Sequence, residues 1–146
     1  MSSRAPLLAF ALIACGCGGS EEAGNDAGVL TSCSKSQAIQ TVASASGAYT
    51  FYVCAAASPE VGFNSFAYLV VDQAGTPQGG LSLSVQPWMP YMNHGAPGNG
   101  MATVTASGQG QYQVTNVVFQ MAGEWQLRTT IAAPTSDSAN PQFNVD

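Results

Sequence analysis

Charge is scarce in this chain. Only 8% of the 146 residues are Asp, Glu, Lys or Arg, with one lysine, Lys35, and two arginines, Arg4 and Arg128. So few helix-forming charged residues argue against a helical bundle, a coiled coil and a charged disordered chain. The net charge of −5 leaves no basic footprint, so no nucleic-acid partner is expected. Histidine occurs once, at His94, which excludes an all-protein zinc site of two or three imidazoles within one chain. No Cys-x-x-Cys pair exists. There is no Gly-x-Ser-x-Gly elbow, no Cys/His nucleophile pair with an orienting group, and no phosphate-cradling glycine loop after a strand. The acids are scattered, so paired-carboxylate chemistry has no obvious seat. The chain is therefore not expected to be an enzyme.

What is present points to β-structure. Sixteen Gly and eight Pro punctuate segments rich in Val, Thr, Tyr, Phe and Ser. The N-terminus reads as an address. Met1 to Pro6 carries Arg4, and Leu7 to Ala14 is an apolar run of eight residues. That is too short for a bilayer span of about 20 residues but suits a secretory signal. Leu12-Ile13-Ala14-Cys15 resembles a bacterial lipobox, which implies a signal peptide over 1–14 and lipidation of Cys15. Several acyl chains on one residue would anchor durably, since each buried CH₂ contributes about 0.8 kcal/mol. Gly16 in place of Asp resembles sorting to the outer membrane, so a cell-envelope lipoprotein facing the periplasm or the cell surface is expected. Residues 15–32 form a lipidated tether, rich in Gly, Ala, Ser and acids and without apolar periodicity. Residues 33–146 form the folded domain.

Four cysteines occur. Cys15 is assigned to lipid and Cys17 lies beside it in the tether. Cys33 and Cys54 remain, and an extracytoplasmic compartment is oxidising, so they are expected to form a disulfide. Closing a loop of about 20 residues would contribute about 3 kcal/mol. A thiolate metal site is the alternative.

The body reads as about seven short strands: Tyr49–Ala56, Phe66–Val71, Leu81–Gln86, Met101–Ala106, Tyr112–Phe119, Trp125–Ile131 and Gln142–Val145. Several alternate with period two, and Phe66–Val71 is apolar on both faces, as a central strand would be. Residues 34–46 suit either a short helix or an irregular strand. Seven strands with frequent turns suggest an immunoglobulin-like antiparallel sandwich, with a small barrel as the alternative. Trp125, Phe66, Tyr68, Leu83 and Val114 are the expected core.

Between the strands near Val85 and Met101 runs QPWMPYMNHGAPGNG, long for a compact domain. It carries Met89, Met92 and His94. If successive strands alternate in direction, the links at 57–65, 87–100 and 120–124 share one end, which brings Met101 and Met121 there too. Thioether sulfur with imidazole suits Cu(I), and the loop offers no acid for a hard cation. The candidate metal ligands are thus Met89, Met92, His94, Met101 and Met121. The plain alternatives are that the methionines fill the end of the core, or that Trp88, Tyr91 and Met92 form an apolar protein contact.

A family resemblance rests on linked motifs. Pro59-x-x-Gly62-x-Asn64-x-Phe66 leads into Val70-Val71-Asp72. Trp88-Met89-Pro90-Tyr91-Met92-Asn93-His94-Gly95 follows, then Gly110-Gln111-Tyr112, Phe119-Gln120-Met121-Ala122-Gly123 and Trp125-Gln126-Leu127. In this order they resemble the YtkA-like domain, itself similar to FixH-like proteins, over about residues 48–132. The resemblance implies an extracytoplasmic immunoglobulin-like sandwich and a Met-Pro-x-Met-x-His-Gly string suspected in copper handling. It carries over to Met89, Met92 and His94, and implies a copper-handling envelope protein as partner. Asn93 stands where the family usually has Gly, which bears on the shape of the turn.

Overall fold

The computed structural model describes residues 28–146. The signal, Cys15, Cys17 and most of the tether lie outside them. The described residues form ten strands: β1 Gln40–Ala43, β2 Tyr49–Ala55, β3 Gly62–Asp72, β4 Ser82–Met89, β5 His94–Gly95, β6 Thr103–Gly108, β7 Gln111–Phe119, β8 Gly123–Ala133, β9 Asp137–Ala139 and β10 Gln142–Val145. One sheet runs β1-β2-β3-β7-β6 and the other β10-β8-β4-β5, with β9 pairing β8. All pairings are antiparallel. The all-β sandwich expected from the pattern is what forms, as two sheets instead of a closed barrel.

Ten strands replace the expected seven because β5 and β9, of two and three residues, are too short to display a period-two pattern, and β1 lies in the segment that suits either a helix or a strand. β1 also resolves the ambiguity over 34–46, which is a turn followed by a strand. The presumed long loop is shorter than expected, since β4 continues through Pro87 to Met89 and a tight turn leads into β5. Pro87 is tolerated in a strand because of its direction. The Val85 carbonyl accepts from Ala102 N–H, away from β8. Two residues on, the N–H that proline lacks falls on that same side, so no bond to β8 is lost.

β3 is apolar on both faces because both are covered. Phe66, Tyr68 and Val70 enter the main core between the sheets, with Phe51, Val114, Phe119, Trp125 and Leu127. Ala67, Leu69 and Val71 face the other way and pack with Cys33, Cys54, Leu30 and Ala38. The segment before β1 thus straps the outer face of the first sheet. Two bonds pin it there: Cys33 N–H donates to Gln111 Oε1 at 2.8 Å, and Gln111 Nε2 donates to the Cys33 carbonyl at 2.9 Å. The Cys33–Cys54 disulfide expected from the cysteine pattern is present, with the Cα atoms 5.5 Å apart. Trp125, Phe66, Tyr68 and Val114 are buried as expected, whereas Leu83 is only half-buried at the margin of the core.

The two ends of the sandwich differ. The β2–β3, β4–β5 and β7–β8 connections share one pole, because β3 begins opposite the end of β7 (Gly62 beside Phe119) and β4 ends beside the start of β8 (Trp88 beside Gln126). The opposite pole is held by polar bonds. Tyr112 O–H donates to the Gln78 carbonyl at 2.8 Å and accepts from Leu81 N–H at 3.0 Å. Between the sheets, the Tyr68 and Thr129 hydroxyls meet at 3.2 Å. Burial pushes the Tyr68 phenol well above its ordinary pKa, against a smaller opposing effect of Thr129, so it stays neutral.

Gly110, between β6 and β7, is where this opposite pole closes most tightly. Its φ is +74°, and a Cβ there would lie 2.7 Å from the Val70 carbonyl oxygen and 2.9 Å from both Gln78 N and Pro77 Cβ. The strained φ and backbone clash act together. Gly110→Ala should therefore lower the unfolding free energy by about 2–4 kcal/mol, read from the chemical denaturation midpoint. An unchanged midpoint would contradict this packing.

At the same pole Ser46 donates from both its N–H and its hydroxyl to Asp137, and Ser138 N–H donates to the same carboxylate. Desolvation raises the Asp137 pKa, but the hydrogen bonds outweigh it and hold it at about 2, below the ordinary 3.8. Because the folded value is the lower one, the stabilisation is complete above the ordinary value and is lost as pH falls from about 4 through about 2. The difference in denaturation midpoint between the wild type and Asp137→Asn should be constant from pH 7 to 5 and shrink below pH 4. A difference that persists at pH 2 would contradict the hydrogen-bond origin.

Candidate metal site at one pole of the sandwich

The sequence reading places five donors at one end, and the fold positions them unequally. Met89 is the last residue of β4 and pairs with His94, the first of β5. Between them the chain turns through Pro90–Asn93, closed by Asn93 N–H donating to the Pro90 carbonyl at 3.2 Å. Asn93 adopts φ +53°. This is the left-handed region that glycine enters freely and asparagine tolerates better than most residues. Asn93 therefore makes the turn that Gly would make, and the expected disturbance is accommodated.

Met121 lies in the turn from β7 to β8, where the chain crosses from one sheet to the other. Trp125 Nε1–H donates to the Met121 carbonyl at 2.9 Å, which fixes this turn to the buried indole. Gly123, with φ +134°, follows it. A Cβ there would come 3.0 Å from Met89 Cε, so the turn lies directly against the Met89 thioether. A cleft of about 320 Å³ opens between the two turns, lined by Met89, Tyr91, Met92, Met121, Ala122, Gly123 and Glu124. Its walls carry three of the four thioethers singled out from the sequence. Met89 is buried, while Met92 and Met121 are exposed.

His94 stands half-buried beside the cleft, not in its lining. Its ring meets the Trp125 indole edge-on, with centroids 6.3 Å apart. Nδ1 lies 3.0 Å from the Gly95 carbonyl oxygen. A carbonyl can only accept, so Nδ1 carries the proton, and the neutral ring keeps its lone pair on Nε2. This is how a ligating imidazole is commonly prepared, with one nitrogen held by a carbonyl and the other available. Gln120 Nε2 also donates to Gly95 O at 3.3 Å, tying the β7–β8 turn to β5. Met101 falls elsewhere. It precedes β6, is exposed, and does not line the cleft; the next residue, Ala102, is bonded to Val85 in mid-β4.

Tyr91, singled out from the sequence only as part of a protein contact, and Glu124, not singled out at all, also line the cleft. Glu124 had a signal, being next to Trp125 in the turn that carries Met121. Its exposed carboxylate adds one hard oxygen to a soft set. Among the described residues no group of three or more His, Cys, Asp or Glu side chains could hold a metal. Any metal here would thus depend on thioethers. Thioethers with one imidazole fit a soft monovalent ion, and the donors present agree with that chemistry.

Comparison with known proteins adds a family but no close relative. No curated protein and no solved structure matches the chain. A family model, described as YtkA-like, matches residues 43–130. The match runs from the end of β1 through most of β8 and includes the whole β4–β5 hairpin and the β7–β8 turn. This span exceeds half of the chain and contains the whole cleft, and on that basis the protein belongs to the YtkA-like family.

Proposed function

We propose that this protein is a membrane-anchored extracytoplasmic binding module, without catalytic activity of its own, that holds Cu(I) for chaperoning or sensing. Met89, Met92, Met121 and His94 are the ligands in this reading, and Cys15 is the lipidated anchor. The observation that carries it is the shared cleft: three methionines, from the β4–β5 hairpin and the β7–β8 turn, line one opening, beside an imidazole whose Nδ1 lies against the Gly95 carbonyl. Thioethers are neutral and do not pair into disulfides, so such a site tolerates an oxidising compartment. The Cys33–Cys54 disulfide fits the same compartment. A copper-handling protein of the envelope is the partner that this function calls for.

A second reading is favoured by one observation. Tyr91 is 94% exposed at the rim of the cleft, and an exposed aromatic beside methionines is characteristic of protein contacts. In that case the pole would be a metal-free interaction surface.

The two readings separate in a competition titration with a chromogenic Cu(I) chelator. The wild type and Cys17→Ser should each bind one Cu(I). The double substitution Met92→Ala with His94→Ala should weaken binding by two orders of magnitude or more, at about 1.4 kcal/mol per tenfold. Retention of copper by the double variant would contradict the ligand assignment. Loss of copper in Cys17→Ser would move the site to the tether.

A further inference from the structure

The same pole carries more exposed apolar surface than the proposed ligands account for. Among the described residues, exposed large hydrophobics gather at this end: Val61 and Phe63 at the start of β3, Tyr91 and Met92 in the β4–β5 turn, and Met121 in the β7–β8 turn. Tyr91 and Phe63 are 94% and 78% exposed. The opposite pole presents Gln73, Thr76, Gln109, Thr135 and Ser136 instead. An apolar end on an otherwise polar body marks an interaction surface.

The point where the chain enters the domain indicates what covers it. Gly28 and Val29 line one groove with Ala55–Ala57 and Phe63, at the end of β2 and the start of β3. The first described residues thus leave the domain on the side of the apolar pole. Only 12 residues separate Cys15 from Gly28. However they are arranged, they span at most about 45 Å. An anchor at Cys15 would join the domain at this end and not at the polar one.

We propose that the apolar pole docks on the surface of the bilayer to which the chain is anchored, with Phe63, Tyr91 and Met92 entering the interface. The proposal rests on the reading of Cys15 as the anchor. Tyrosine suits this position, with an apolar ring and a hydroxyl that remains at headgroup level. The charges at this end are acidic: Glu60 precedes β3, Glu124 lines the cleft, and Asp146 follows β10, whose Val145 pairs with Gly123. The surface that fits is therefore zwitterionic and not anionic. Docking would turn the thioether cleft towards the membrane, where it would exchange its ion with a membrane-embedded acceptor and not with a soluble one.

The test uses the full chain in phosphatidylcholine–phosphatidylethanolamine vesicles whose acyl chains are brominated near the headgroup. Tyr91→Trp places a reporter on the apolar pole and Thr135→Trp one on the polar pole, each read against the unsubstituted chain. The Tyr91→Trp signal should be quenched several-fold more than that of Thr135→Trp. Adding Phe63→Ser and Met92→Ser should remove much of the difference while the protein still floats with the vesicles. Replacing part of the lipid by phosphatidylglycerol should weaken the quenching, and strengthening would contradict the zwitterionic surface. Equal quenching of the two reporters, or none in protein that floats, overturns the docking. The anchor is tested separately. Full-length Cys15→Ser should no longer float, yet at high vesicle concentration its Tyr91→Trp form should still be quenched. Flotation that survives Cys15→Ser overturns the anchor alone, and absence of quenching there overturns the docking.

Discussion

Trp125 is the residue on which core and pole both depend. Its indole is fully buried, packed against Phe119 at 5.2 Å between ring centroids. The chain of rings continues inward from Phe119 to Phe66 and from Phe66 to Phe143, across both sheets. Outward, the same indole donates to the Met121 carbonyl and meets the edge of His94. A buried indole N–H is costly without an acceptor, and Trp125 has one, whereas the buried Trp88 Nε1 has no partner among the described residues. For Trp125 the acceptor is the backbone of the turn that carries a candidate ligand. The geometry of the pole is therefore set by the same packing that holds the sheets together, so the site is not a loose loop added to a scaffold.

The two poles are held in different ways. At the polar end, side-chain and backbone hydrogen bonds fix each connection: Asp137 binds the Ser44–Ala48 turn, Tyr112 binds the segment before β4, and Gly110 lets the β6–β7 hairpin close against β3. Few of these groups could move without leaving a donor or acceptor unpaired. At the apolar end Trp125, Gly123 and Gln120 hold the β4–β5 and β7–β8 turns from below, and Asn64 bonds the chain that enters β3. Exposed thioethers and an exposed aromatic are retained there against the tendency to bury them, which is the reason to look for function at that end.

Much of the fold was legible in the sequence. Period-two alternation in Trp125–Ile131 and Tyr112–Phe119 and the doubly apolar run at Phe66–Val71 gave the central strands, and elimination among the four cysteines gave the disulfide. The shortest strands were not legible, because two or three residues such as His94–Gly95 and Asp137–Ala139 cannot show a period. Pro87 obscured the length of β4, since a proline reads as a break unless the direction of its nitrogen is known. The gathering of Met89, Met92 and Met121 followed from alternating strand direction alone. Met101 fell outside the cleft because the segment before β6 is tied to mid-β4 through Val85, a contact that no pattern signals. Glu124 was overlooked for a different reason: the approach that brings it to the cleft is tertiary, and its sequence trace is its place between Met121 and Trp125.

The central claim is that thioether sulfur and a single imidazole nitrogen take hold of a soft ion at this pole. X-ray absorption at the copper edge, on the Cu(I)-loaded Cys17→Ser chain, tests it most directly. The account predicts a first shell of sulfur with one nitrogen, from which the nitrogen is lost in His94→Ala and the sulfur reduced in Met92→Ala. A shell of oxygen and nitrogen without sulfur, or a sulfur shell indifferent to both substitutions, would contradict it.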